Sequence, residues 1–179
     1  PPNKSVVVGL PLRKELLDSR NTKKFSPKLL YITCGKQGSH TINQALFPII
    51  SQLVKKFTVV HQTGSNTMTK DSDRARRVKE RLGEFSNRYI YSPYFFAKEA
   101  ATYLRSADVV VSRSGAHIVY ELMTLSKKVV LIPISWVSHN EQLLNAKLAT
   151  SRLTGKVVEE KNLNPDTLVE AIQDISKSA

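Results

Sequence analysis

Short runs of β-branched and other apolar residues recur along this chain, and each ends at a polar or glycine-containing turn. They span residues 28–34, 57–61, 88–92, 108–112, 128–133 and 156–159. Val109-Val110-Val111 shows the type: the run is continuous rather than alternating, as in strands covered on both faces. Between the runs, apolar positions fall at helical spacing. Ile42, Ala45, Leu46, Ile49, Ile50 and Leu53 mark one face of a helix over 40–55, and further helices are predicted over 70–84, 97–106, 116–126, 140–150 and 164–177. Strand and helix alternate with short connections. That pattern predicts an α/β fold, a Rossmann-like parallel sheet of about six strands with helices on both faces. Ligands in such folds lie above the carboxyl ends of the strands, where the strand order reverses.

Residues 1–27 break the rhythm. Pro1-Pro2, Val6-Val7-Val8 and Gly9-Leu10-Pro11-Leu12-Arg13 lead into a polar, basic stretch that closes at Pro27. This reads as an interdomain connector with one short helix over 13–19 rather than as core, and residues 28–179 as the domain it leads to. A connector at the start also implies a preceding domain. The chain has 179 residues, 41% of them hydrophobic and 23% charged, the composition of one soluble globular domain. No run approaches the roughly 20 apolar residues of a membrane span. The single cysteine, Cys34, rules out an internal disulfide and reads as a small buried side chain. The net charge of +12 changes the picture more. It calls for an anionic partner, whether nucleic acid, an anionic membrane surface or a phosphorylated substrate. No nucleic-acid motif accompanies the basic clusters at 13–28 and 70–81, which disfavours nucleic acid.

Three turns carry candidate chemistry. Gly35-Lys36-Gln37-Gly38-Ser39 has glycines that let a backbone approach an anion, and the helix after it offers N–H groups. It lacks the Lys-Ser/Thr pair of a P-loop and the three-glycine dinucleotide fingerprint, so a plain βα turn is the competing reading. Ser112-Arg113-Ser114-Gly115-Ala116 forms a second such cradle, in which Arg113 suits either a phosphate or structural hydrogen bonds. His117, Ile118 and Glu121 share one face of the helix that follows. Glu121 therefore stands beside the anion site, among the apolar Val119 and Leu122. A carboxylate there suits a ribose diol, and a solvated helix glutamate is the alternative. In His139-Asn140-Glu141-Gln142, an adjacent acid and amide suit neighbouring sugar hydroxyls, against ordinary capping by Asn140. No nucleophile elbow is present, and His40, His61, His117 and His139 do not fall at metal-ligand spacings.

Taken in order, these segments resemble the C-terminal, donor-binding half of glycosyltransferase family 28, of the GT-B fold. Residues 9–13 are similar to the family's Gly-Asn-Pro-Val-Arg connector. Cys34-Gly35-Lys36-Gln37-Gly38-Ser39, with Asn43-Gln44, resembles its Gly-Gly-Ser-Gln-Gly-Ala loop and Asn-Gln helix. His61-Gln62-Thr63-Gly64 matches His-Gln-Thr/Ser-Gly, and residues 107–121 match Ala-Asp-Val-Val-Val-x-Arg-Ser-Gly-Ala…Glu. Residues 142–146 match Gln…Asn-Ala.

The resemblance implies a domain that binds UDP-GlcNAc. With an N-terminal acceptor domain absent from this chain, it moves GlcNAc to a membrane lipid-linked acceptor, as from lipid I to lipid II in peptidoglycan synthesis. Glu121 is implied on the uridine ribose, and the turn Tyr94-Phe95-Phe96 around the uracil. Lys36, Gln37, Gly38, Arg113, Ser114, Gly115, Ala116, His117 and Ile118 are implied along the ribose and diphosphate, with Arg13 answering the phosphate charge. Glu141 and Gln142 fall on the sugar hydroxyls. No catalytic residue and no cofactor or metal is implied in this half. Lys36 stands where the family has Ser and Cys34 where it has Gly, which adds a cation near the phosphates. The same likeness fits a soluble donor-binding subunit that needs a membrane-bound partner chain, as in N-glycan GlcNAc transfer. It also fits a UDP-sugar transferase acting on diacylglycerol. Each places the protein in the cytoplasm, peripheral on the inner face of the cell membrane, where a basic surface suits an anionic leaflet.

Overall fold

In a computed structural model of the chain, the described residues are 9–18, 20, 22–134 and 140–178. The run Val6-Val7-Val8, Ser19 and the loop through Trp136 and His139 lie outside them. The six runs form six parallel strands: β1 (Leu29–Thr33), β2 (Thr58–Gln62), β3 (Tyr89–Ser92), β4 (Val109–Ser112), β5 (Lys128–Leu131) and β6 (Gly155–Val157). Their order is β3-β2-β1-β4-β5-β6. The order reverses between β1 and β4, which pair directly through Tyr31↔Val110 and Thr33↔Ser112. The two loops with candidate anion cradles leave the sheet at this reversal.

The continuous strands serve two cores. Leu30 and Ile32 of β1, with Val109 and Val111 of β4, face one side. Leu29, Tyr31 and Val110 face the other. On the first side lie α2 (His40–Leu46), α3 (Ile50–Leu53), α4 (Asp71–Glu80) and α8 (Pro165–Lys177). On the second lie α5 (Ala97–Ser106), α6 (Ala116–Thr124) and α7 (Glu141–Thr150). Crossovers before and after the reversal thus take opposite faces, so α2 and α6 leave their strands on either side of one crevice.

Two expectations change. The helix predicted over 40–55 is divided into α2, a 3₁₀ turn at Phe47–Ile49 and α3. Pro48 has no N–H to continue the helical ladder, and the chain tightens there instead. The segment before the domain also does more than connect. Its short helix α1 (Lys14–Leu17) lays Leu16, 2% exposed, into the core of the second face beside Ala101 and Leu104. Arg105 holds it by donating to the Leu16 carbonyl, and to Thr22 Oγ1 at 3.1 Å. Among the described residues no helix is long and apolar enough to cross a membrane.

Candidate functional site

A cleft of about 550 Å³ opens at the carboxyl ends of β1 and β4, a size that suits a nucleotide-sized ligand. Of the residues singled out from sequence, Arg13, Lys36, Phe95, Arg113, Gly115, His117, Ile118, Glu121 and Gln142 line it. Gln37, Gly38, Ser114, Ala116 and Glu141 do not. Glu141 is exposed at the start of α7. Asn140 does not cap that helix with its side chain; it takes a left-handed backbone at φ 54° instead.

The α6 wall brings the start of a helix and a carboxylate to one side of the cleft. Gly115 begins the helix with no side-chain cap, and the first helical N–H to find a partner is that of Val119, on the Gly115 carbonyl at 3.1 Å. Among the described residues nothing answers the N–H groups of the first turn, which stand at the positive end of the helix dipole. One turn on, Glu121 is 6% exposed, and both its carboxylate oxygens accept from Arg13: Nε to Oε1 at 2.7 Å and Nη2 to Oε2 at 2.7 Å. This bidentate pair raises the Arg13 pKa above its ordinary value.

Arg113 is a brace rather than an open cation. Its Nη2 donates to Ser39 Oγ at 2.7 Å and to Glu160 at 2.6 Å, and its Nη1 donates to the Ile132 carbonyl at 3.1 Å. It thereby ties together the ends of β4 and β5, the N-cap of α2 and the segment after β6. Only its buried Nε lacks a partner. Ser114 is likewise internal: its hydroxyl donates to the Gln142 carbonyl at 2.8 Å. The Gln142 side-chain oxygen accepts from the Ile134 N–H at 3.2 Å, which leaves its NH₂ as the donor available in the cleft.

The turn after β3 supplies a further part of the lining, through Tyr94 and Phe95. Phe95 is buried, with its ring edge-on to Tyr103 at 4.9 Å, whereas Phe96 points out at 72% exposure. Gln62 sets this turn and the β1 loop at once: its NH₂ donates to the Gly35 carbonyl at 2.8 Å, and its oxygen accepts from the Phe95 N–H at 3.0 Å. Gln62, Tyr31 and Cys34 also line the cleft, although sequence reasoning assigned them no contact there. For Gln62 the signal was present in the His61-Gln62-Thr63-Gly64 match. Burial pushes both the Cys34 thiol and the Tyr31 phenol up to about 12, so each stays protonated at neutral pH.

Beneath the β1 loop two glycines meet. Gly38 (φ 78°) and Gly64 (φ 97°) are left-handed, and a Cβ on Gly38 would come within 2.3 Å of the Thr63 carbonyl. A Cβ on Gly64 would come within 2.2 Å of the Gln37 carbonyl. Backbone thus packs on backbone, and the loop's shape depends on both residues lacking side chains. Alongside runs a closed polar chain. Asn43 donates to the Thr63 carbonyl and to Asp71, both at 2.8 Å, so its oxygen must be the acceptor for His61 Nε2–H at 2.9 Å. His61 Nδ1 then accepts from the Tyr89 hydroxyl at 2.9 Å, and His40 closes on Asp71, also at 2.9 Å. Burial lowers the His61 pKa to about 3 and keeps the ring neutral.

Known proteins resemble this chain in sequence and in fold. A transferase of Clostridium perfringens, named UDP-N-acetylglucosamine--N-acetylmuramyl-(pentapeptide) pyrophosphoryl-undecaprenol N-acetylglucosamine transferase, is 30% identical over 184 residues, or 98% of this chain and 48% of the relative. The chain spans about half the length of the curated relatives it matches. Among solved structures, Acinetobacter baumannii MurG is similar with a TM-score of 0.58 at 19% identity, over 86% of this chain and 48% of that one. The glycotransferase of kitacinnamycin is similar with a TM-score of 0.64 at 17% identity, over 87% and 37%. At those identities the structures speak for the fold alone. The model of the glycosyltransferase family 28 C-terminal domain matches residues 29–179, which takes in the whole sheet and both cradles, and the chain belongs to that family.

Proposed function

We propose that this chain is the donor-binding half of a glycosyltransferase that takes UDP-GlcNAc. With an acceptor-binding domain it passes the sugar to a lipid-linked acceptor at the cytoplasmic face of a membrane. The observation that carries the reading is Glu121: a nearly buried carboxylate, open to the cleft, one turn from the uncapped start of α6. A carboxylate accepts from a diol, whereas open N–H groups and a helix dipole take a diphosphate, so the two ends of a nucleoside diphosphate each find their match. The Gln142 amide donates towards the sugar end.

As the bond between the sugar and the diphosphate breaks, negative charge grows on the departing UDP. The α6 N-terminus and the exposed Lys36 stabilise that charge in place. The names of the relatives support GlcNAc as the sugar and an undecaprenol-linked acceptor. The net charge of +12 supports peripheral attachment to an anionic leaflet.

Calorimetric titration with UDP-GlcNAc, UDP-glucose, UDP-galactose and UDP, on the wild type and Glu121→Ala, tests the reading. Preference for UDP-GlcNAc, weakened in the variant, is expected. Equal affinity for all four removes the GlcNAc assignment, and binding of none overturns the donor site.

A further inference from the structure

The geometry points to Arg13 as a positioning residue for the ribose-reading carboxylate, and not as a ligand of the diphosphate. This rests on the donor-site reading above. Arg13 lies on neither phosphate loop but 108 residues from Glu121 in the chain, and it meets both carboxylate oxygens with a planar fork. Each oxygen accepts one hydrogen bond from that fork and keeps capacity for another, so two ribose hydroxyls fit without displacing Arg13. Moving Arg13 away to a phosphate carries a penalty. The Glu121 side chain is only 8% exposed, and losing its partner would strand a buried charge.

The phosphates have other partners. Lys36 lines the same cleft and, among the described residues, its ammonium has none of its own. The first turn of α6 adds its open N–H groups. The backbone that carries Arg13 is itself pinned to α6: a Cβ at Gly9 would come within 2.6 Å of the Tyr120 hydroxyl, so the segment lies flush on the helix. The Arg13 carbonyl accepts from the Leu16 N–H at 3.0 Å, and Leu16 is buried. A glutamate alone on a helix samples several rotamers. One gripped by an anchored fork is fixed before the ligand arrives, which favours binding. Arg13 therefore sets selectivity for a ribose over a 2′-deoxyribose.

The test is titration of the protein with UDP, uridine and 2′-deoxy-UDP. Arg13→Gln is expected to weaken UDP and uridine alike, by about tenfold for a lost charge-assisted contact. The UDP-to-uridine ratio then stays constant while the preference for UDP over 2′-deoxy-UDP falls towards unity. Arg13→Lys is expected to behave the same way, because an ammonium keeps the charge but not the fork. Glu121→Gln and the double variant Arg13→Gln/Glu121→Gln guard against misfolding, since neither leaves a buried carboxylate unpaired; the double variant is expected to bind no worse than Glu121→Gln. A loss confined to UDP, full rescue by Arg13→Lys, or a further loss in the double variant overturns the proposal and leaves the donor site standing. A wild type that binds none of the three overturns both.

Discussion

His61 and Glu121 are both polar side chains buried close to the carboxyl ends of the strands, yet they are built to opposite ends. Every polar atom of His61 is answered from within: Asn43 on one nitrogen, Tyr89 on the other, and Asp71 and His40 beyond. Among the described residues Glu121 has one partner, Arg13, on the segment before the domain, and it lines the cleft. Burial by itself says little about function. Spare hydrogen-bonding capacity aimed at a cavity separates a binding group from a structural one, because a saturated buried network has nothing left to offer a ligand.

Substitution at the centre of the closed network gives the largest effect. Asn43→Leu leaves His61 Nε2–H without an acceptor and removes a donor from the buried Asp71. It is expected to destabilise the fold by about 3–5 kcal/mol in urea unfolding, with UDP affinity unchanged in the protein that remains folded. On the other side of the comparison, Glu121→Gln is expected to lower UDP affinity by about ten- to a hundredfold, read by calorimetry. Its unfolding free energy should move by less than about 1 kcal/mol, since Arg13 is partly exposed and water takes over its donors. If the two variants exchange effects, the distinction fails.

The third test is pH. His61 titrates near its ordinary 6.5 in the unfolded chain but at about 3 when folded. The unfolded state therefore takes the proton first as pH falls. Above 6.5 this group contributes a constant stability, and that contribution is lost between 6.5 and about 3, at about 1.4 kcal/mol per pH unit. Urea melts across this range should show the slope in the wild type, and His61→Gln should remove that part of it. The smallest effect belongs to Lys36→Ala. Loss of an exposed charge is expected to weaken UDP about two- to threefold at low salt and by less as ionic strength rises. An effect that ignores salt would mean Lys36 acts through loop shape, not charge.

Periodicity is a local property, and it carried the elements well: the helix predicted over 97–106 is α5 residue for residue, and Val109-Val110-Val111 lies within β4. It missed the break at Pro48, where a missing N–H outweighs a well-formed apolar face. In the site, Glu121 was legible because an acid among apolar helix neighbours, one turn past a glycine, has a position that spacing alone defines. Arg113 was not, since a guanidinium between two strand ends is read only once Ser39, Ile132 and Glu160 are seen around it. Leu16 looked like connector because one buried leucine in a basic stretch makes no period.

The strands, the helices and their alternation follow from patterns that a few adjacent residues define. Gly38 against Gly64, Gln62 between two loops and Arg13 on Glu121 do not, because each joins positions far apart in the chain. Hydrogen bonds and steric contacts act over a few ångströms in space, whatever the distance along the backbone, and so the chemistry of this cleft existed only once the sheet had brought those positions together.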